Sequence, residues 1–215
     1  MKTLKPLFWI CLFLLILSVG LAYIKPIIRA VQTYTSDDYK GGLDMVDKHF
    51  GSDIDSAAQV FQIEPAYLKA LCMLECSGKK AISPRFEAHV YKQLKRVQAG
   101  TIQNYEHVQA SMLKDANDDA IRNLASSWGP FQLMGYKCLL LDIKIRDIRG
   151  PDAVFYAVKW IHLTYGDYLK KHQYKDAFHI HNTGQKFPSN GKAKTYDPKY
   201  CQRGLQYMKH FQAQN

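Results

Sequence analysis

Glu75 is the residue of this sequence whose position first suggests catalysis. Leu68, Leu71 and Cys72 precede it by seven, four and three positions, which places all four side chains on one face of a helix. Because that face is otherwise apolar, we expect it to point inward and the pKa of the desolvated carboxyl group to rise. The C-terminal end of the helix dipole acts in the same direction. A carboxyl group that is still protonated near neutral pH can donate a proton to a leaving oxygen, as glycosidic-bond cleavage requires. A structural ion pair with Lys or Arg is the alternative.

Three further segments combine polar and aromatic residues at interruptions of regular structure. Residues 126–134 read SSWGPFQLM, in which Gly129 and Pro130 exclude regular structure immediately before Gln132. Residues 181–184 read HNTG and follow a short predicted helix, and Tyr200 opens the last predicted helix. Polar groups at such breaks are typical of a binding cleft.

The order of these motifs resembles that of a known enzyme family. ECSG, RFEAHVY, SWGPFQLMG, HNTG and a Tyr-led helix occur in the order found in the N-acetylmuramidase family of phage-endolysin type, within the lysozyme-like superfamily that includes soluble lytic transglycosylases. The resemblance covers roughly residues 54–211. It implies a lysozyme-like helical domain that binds peptidoglycan and cleaves the β-1,4 bond between N-acetylmuramic acid and N-acetylglucosamine, with no cofactor and no metal.

The resemblance also implies roles for individual residues. They are a general acid (Glu75), a second carboxylate (Glu87), polar contacts to the sugars (Gln132 and Asn182) and aromatic groups that shape or stack in the cleft (Trp128 and Tyr200). The residue pattern leaves Glu87 equally open to an ion pair with Arg85 or Lys92 on a solvated face, and Trp128 open to core packing.

Three positions depart from the family pattern. Cys76 interrupts the usual ESG, Pro130 replaces an apolar residue and stiffens the turn, and His181 stands where tyrosine is usual. His179 and His181 would face different ways on a helix, so we do not expect them to form a metal-binding pair.

The elements that must position these residues are mainly helical. Helices are predicted from Asp53, from Pro65 to Gly78, from Gly150-Pro151, over residues 175–180 and over residues 199–211. Residues 92–123 read as a polar stretch, and no convincing alternating strand is found. The sequence therefore predicts one mainly α domain, and we expect residues 53–211 to fold alone.

The N-terminus predicts export. Residues 7–24 are uncharged and rich in Leu, Ile and Phe, a run longer than a signal-peptide core and long enough to span a bilayer. Length favours a retained anchor, while the small residues Gly20 and Ala22 leave a cleaved signal as the alternative. The predicted organisation is a signal anchor or signal peptide (1–24), a tether (25–52) and a muramidase domain (53–215). That domain is then periplasmic and anchored to the inner membrane, or exported after signal cleavage.

The charge of the chain favours a polyanionic partner. The formal net charge is +10, and residues 170–209 carry nine lysines or arginines against two aspartates. Cell wall fits this charge; nucleic acid is the competing partner, but no recognition motif for it is present. We expect Cys72, Cys76, Cys138 and Cys201 to be small buried residues, with no bond between the first two.

Two questions remain open at the level of sequence. Water could complete a hydrolysis with help from Glu87, or the C6 hydroxyl of the sugar could close an anhydro ring, as in a lytic transglycosylase. A cleavage-inactive wall-binding scaffold is the third possibility.

Overall fold

The computed structural model describes residues 41–214. The helices are α1 (residues 41–61), α2 (Pro65–Cys76), α3 (Ala88–Gln98), α4 (Ala110–Leu113), α5 (Asp118–Leu124), α6 (Lys137–Leu141), α7 (Ala153–Lys170), α8 (Tyr174–Thr183) and α9 (Tyr200–Gln212). The strands are β1 (Arg85–Phe86), β2 (Asn104–Tyr105), β3 (Val108–Gln109), β4 (Ser126–Trp128) and β5 (Leu133–Met134). The described part of the chain is therefore mainly α, as predicted.

Helix α2 lies at the centre of the largest hydrophobic cluster, which joins it to α1, α7, α8 and α9. Tyr67, Leu68 and Leu71 are fully buried there. Helix α9 packs closely along α2, and Gly204 permits this approach because a Cβ atom at that position would lie 3.0 Å from Leu74 Cδ1. The packing brings the first residue of α9 beside the last turn of α2.

The remaining elements form a second group with two smaller hydrophobic clusters. Strands β1, β4 and β5 make an antiparallel sheet in that order, with Arg85 opposite Ser127 and Ser127 opposite Met134. Strands β2 and β3 form a separate hairpin beside α3. The short sheet holds the segment after β1 and the turn between β4 and β5 in fixed register.

The structure differs from the sequence expectation in residues 92–123 and in the strands. Helix α3 begins before that stretch, α4 and the β2–β3 hairpin lie within it, and α5 ends one residue beyond it. A buried apolar stripe at helical spacing on α3 is formed by Val90, Leu94 and Val97. The charged residues between them obscure this pattern in the sequence. The strands have only two or three residues each, too few to show an alternating pattern.

The expected tether also differs from the structure over residues 41–52. These residues are helical and continuous with the helix predicted from Asp53. Leu43 and Val46 are buried in the main cluster, and Asp47 bonds Lys69 Nζ of α2 at 2.9 Å. The folded unit therefore begins before residue 53, because this stretch has an apolar face that the Gly41-Gly42 pair obscures in the sequence.

The predicted anchor and the first part of the predicted tether lie outside the described residues. Within residues 41–214, no helix combines the length and apolar character that crossing a bilayer would require. The four cysteines of this range are buried free thiols, and the sulfur atoms of Cys72 and Cys76 lie 3.6 Å apart.

Candidate functional site

Glu75 lies in the last turn of α2, where the chain reverses direction. Ser77 and Gly78 both have positive φ angles, 54° and 69°. Any side chain at Gly78 would meet the backbone of α1, since a Cβ atom there would lie 2.6 Å from the Gly42 carbonyl oxygen. The side chain of Glu75 is only 15% exposed. Burial raises the pKa of its carboxyl group above the usual value for Glu, as the sequence analysis expected.

Tyr200 is the hydrogen-bond partner of this acid. Its hydroxyl donates to Glu75 Oε1 from the first turn of α9, 125 positions further along the chain. Such a bond stabilises the ionised carboxylate and therefore opposes the effect of burial on the pKa of Glu75. Tyr200 is 6% exposed. It contacts the acid directly, a more specific position than the cleft-shaping role the family resemblance implied.

His181 lies on the other side of Glu75, with Nε2 3.9 Å from Oε1. The same nitrogen is 3.2 Å from the carbonyl oxygen of Phe131, and Nδ1 is 2.7 Å from the hydroxyl of Tyr165. A carbonyl only accepts hydrogen bonds, so Nε2 carries the proton and Nδ1 accepts from Tyr165. Burial, and then the charge of Lys137, lower the pKa of His181 to about 3. His181 is therefore neutral and does not form an ion pair with Glu75.

Tyr165 reaches His181 because α7 is kinked at this residue. Its φ and ψ angles of −143° and 21° are not helical, although the helix continues to Lys170. Kinks and bulges that redirect one side chain often occur near functional sites. Sequence reasoning did not find Tyr165, since its spacing follows the apolar stripe of α7. The Gly166 that follows it was the available signal.

Gln132 lies in the turn between β4 and β5 and lines the cleft beside Glu75. Its φ angle is 47°. Its amide oxygen accepts from Ser127 Oγ at 2.7 Å, and its amide nitrogen donates to the Gly129 carbonyl oxygen at 3.1 Å. These bonds hold the strained turn in place. One N–H of the amide remains for a ligand.

A cleft of about 1060 Å³ opens beside Glu75. Five of the six predicted site residues line it: Glu75, Glu87, Gln132, Asn182 and Tyr200. The side chain of Asn182 is exposed and makes no hydrogen bond to any described residue, so its amide is available to a ligand. Tyr196, which sequence reasoning did not single out, lines the same cleft with a fully exposed ring.

Glu87 lines the cleft and also forms an ion pair with Arg85, which the sequence had left as an alternative to a catalytic role. Its Oε1 lies 2.8 Å from Arg85 Nε, and the two side chains are 35% and 78% exposed. Asp197, another carboxylate of the cleft, is bonded to Arg203. Of the three carboxyl groups that line the cleft among the described residues, only that of Glu75 is not bonded to an arginine.

Trp128 does not line this cleft, and its position agrees with the core packing that the sequence left as the alternative to a role in shaping or stacking in the cleft. It is 8% exposed and belongs to a hydrophobic cluster with Leu133 and Ile148. Its indole N–H donates to the carbonyl oxygen of Asn123 at 2.9 Å, and Arg149 covers its ring. The central strand β4 alternates its faces, so Trp128 points into this cluster while Ser127 contacts Gln132.

The charges near Glu75 are positive. Arg85 and Lys137 both lower the pKa of Glu75, although less than burial raises it. Within the part of the chain that the structure describes, no group of three or more His, Cys, Asp or Glu residues is arranged to hold a metal ion. The site can therefore offer a carboxyl group with a raised pKa, its hydroxyl partner and a free amide to a ligand with an ether oxygen and amide groups.

Comparison of the chain with protein-family models, with curated proteins and with solved structures finds no match. The interpretation of the site therefore depends on its own geometry and chemistry.

Proposed function

We propose that this chain is a peptidoglycan-cleaving glycosidase of lysozyme-like fold that acts on the β-1,4 bond between N-acetylmuramic acid and N-acetylglucosamine. One observation carries the proposal: Glu75 lines a cleft of about 1060 Å³, its side chain is 15% exposed, and burial raises the pKa of its carboxyl group. A general acid that must protonate a glycosidic oxygen needs this combination of access and desolvation.

In the proposed reaction, Glu75 gives its proton to the bridging oxygen while positive charge develops on the neighbouring sugar ring. The Tyr200 hydroxyl then stabilises the new carboxylate, since the donor already points at Oε1. His181 stays neutral, and its Nε2 donates a hydrogen bond to the Phe131 carbonyl oxygen, which keeps the backbone there in place. The free amide of Asn182 is placed to bind a sugar hydroxyl or N-acetyl group.

A second outcome of the same protonation is favoured by the arginine pairs of the cleft. Glu87 and Asp197 are each bonded to an arginine, so each has fewer oxygen lone pairs left to orient an attacking water molecule. The C6 hydroxyl of the muramic acid can then attack its own C1, with the Glu75 carboxylate accepting the hydroxyl proton. This closes a 1,6-anhydro ring, as in lytic transglycosylases, whereas attack by water gives a reducing end.

Digestion of purified peptidoglycan followed by mass spectrometry of the released sugars tests the proposal. We expect soluble muropeptides from the wild type and loss of at least about 10²-fold in rate for Glu75→Gln, which keeps the shape but loses the transferable proton. Glu64→Gln, at the opposite end of α2, is the matched control. Wall that stays intact with the wild type would indicate a binding scaffold, although a scaffold has no need for a desolvated acid.

The proposed location follows from the N-terminal apolar run and the overall charge. We place the catalytic domain outside the cytoplasm, attached through residues 1–24 or released after their cleavage. The positive C-terminal region then faces an anionic wall polymer.

A further inference from the structure

A second chamber adjoins the cleft, and it contains a charged group that has no hydrogen bond or ion pair to any residue of 41–214. The chamber measures about 440 Å³, within the range typical of small-molecule sites, about 300–1000 Å³. Asn182 lines both spaces. Aromatic and charged residues line the chamber, among them Tyr136, Trp160, Lys137 and Glu106.

Lys137 brings a positive charge into this chamber. Its ammonium group lies over the ring of Trp160, 4.9 Å from the ring centre. Among residues 41–214 it has no hydrogen bond and no carboxylate within 4 Å. Burial lowers the pKa of Lys137 to about 8, while the charges of Glu106 and Glu75 act in the opposite direction. A partly buried ammonium group whose one close contact is an aromatic ring still lacks a hydrogen-bond acceptor, so an anion from outside would be bound favourably.

Glu106 brings the opposite charge to the same chamber from the tip of the β2–β3 hairpin. Glu106 and His107 form the two-residue turn, with positive φ angles of 48° and 68°. Asn-Gly is the usual sequence for this conformation, and a Glu at its first position is strained. The carboxylate of Glu106 is exposed and has no hydrogen bond or ion pair to any described residue. It lies more than 4 Å from Lys137, so the two charges are near each other but not bonded.

We propose that this chamber binds a zwitterionic amino-acid end group, with the ligand carboxylate on Lys137 and the ligand ammonium on Glu106. A simple anion would satisfy Lys137 but face repulsion from Glu106, and a simple cation would do the reverse. The rings of Trp160 and Tyr136 can cover the aliphatic part of the same ligand.

In peptidoglycan, this chemistry is found at the free end of the diamino acid in a stem peptide that is not crosslinked; this assignment rests on the proposed function. The stem begins on the muramic acid, and three extended residues reach about 10 Å from that sugar. Because Asn182 lines both the cleft and the chamber, a stem peptide on a sugar bound in the cleft can enter the chamber. The proposed substrate is therefore wall with uncrosslinked stems.

Calorimetric binding to the full-length Glu75→Gln protein in mild detergent tests the inference without turnover. The probes are a disaccharide–tripeptide with a free diamino acid at its third position, the same compound with that amine acetylated, and the same compound with that carboxylate amidated. We expect each blocked probe to bind about tenfold more weakly than the free one, a normal effect of losing one charged contact. The tripeptide without sugar should show the same preference.

Two further substitutions assign the charges. In Lys137→Met the preference for the free carboxylate should disappear, and in Glu106→Gln the preference for the free amine should disappear. Lys92→Met, an exposed lysine on α3, should keep both preferences. Equal binding of all probes to the parent protein would overturn the chamber assignment, even if the wild type cleaves wall. If peptidoglycan stays intact but the tripeptide preference persists, the proposed glycosidase activity fails and the chamber assignment stands.

Discussion

Replacing Tyr200 by Phe removes the hydroxyl that donates to Glu75 while keeping the ring between α9 and α2. A hydrogen bond to a charged group is worth about 1.5–3 kcal/mol and one to a neutral group about 0.5–1.5 kcal/mol. The loss should therefore favour the protonated form of Glu75 over the ionised form by about 1 kcal/mol. That difference corresponds to a shift of somewhat less than one unit in the pKa of Glu75 and to about a fivefold change in the reaction rate.

The sign of the effect distinguishes it from simple damage to the site. The pKa of Glu75 should rise further, so the alkaline limb of the pH–rate profile should move to higher pH. At low pH the rate should fall about fivefold, because the carboxylate formed during the reaction loses its donor. Initial rates of peptidoglycan digestion measure both, with Tyr168→Phe, on α7, as the control. A limb that stays in place or moves to lower pH would refute the assignment of Tyr200 as donor to the acid.

Four other substitutions or truncations have defined outcomes. Glu75→Gln should raise the melting temperature at neutral and alkaline pH. The pKa of the Glu75 carboxyl group is higher in the folded than in the unfolded chain, so its contribution to the stability of the folded protein is complete in acid and is lost as the pH rises through the folded-state pKa. Calorimetry should show that the difference in melting temperature between variant and wild type vanishes in acid. A chain beginning at residue 53 should unfold at lower denaturant than one beginning at residue 41, because two buried aliphatic side chains worth about 1.5–3 kcal/mol each are lost; equal midpoints would contradict the role of α1. Asn182→Ala should raise KM several-fold without moving the alkaline limb, as steady-state kinetics can establish. Trp128→Phe should lower the free energy of unfolding by about 1 kcal/mol and leave KM unchanged. A raised KM would instead indicate that Trp128 contacts the substrate.

Local sequence signals were sufficient to predict much of the scaffold. Pro65 at the start and the positive-φ residues at the end bound α2 as predicted, because both signals act within a few residues. Helix α9 lies where residues 199–211 indicated, while α8 covers residues 175–180 but continues to Thr183, so His181 and Asn182 lie in its last turn and not after the helix as expected. The inward position of Glu75 followed from helical spacing alone.

The features that were not predicted depend on contacts between distant residues. The sequence left both core packing and a cleft position open for Trp128, and the pairing of β4 with its neighbours decides between them; a strand of three residues carries too short a pattern to do so. The kink at Tyr165 and the two roles of His181 require α7, α8 and the turn at Phe131 to be in place together. No spacing within one segment could have indicated them.

The acid and its donor belong to helices far apart in sequence, and this separation has a consequence for the newly made chain. Until α9 packs against α2, Glu75 remains hydrated, and its pKa stays close to that of an ordinary glutamate. Such a chain carries the carboxyl group but releases its proton well below neutral pH. A raised pKa at this position therefore depends on the packing of α9 against α2, and a chain in which these two helices are not yet packed would lack the proposed general acid.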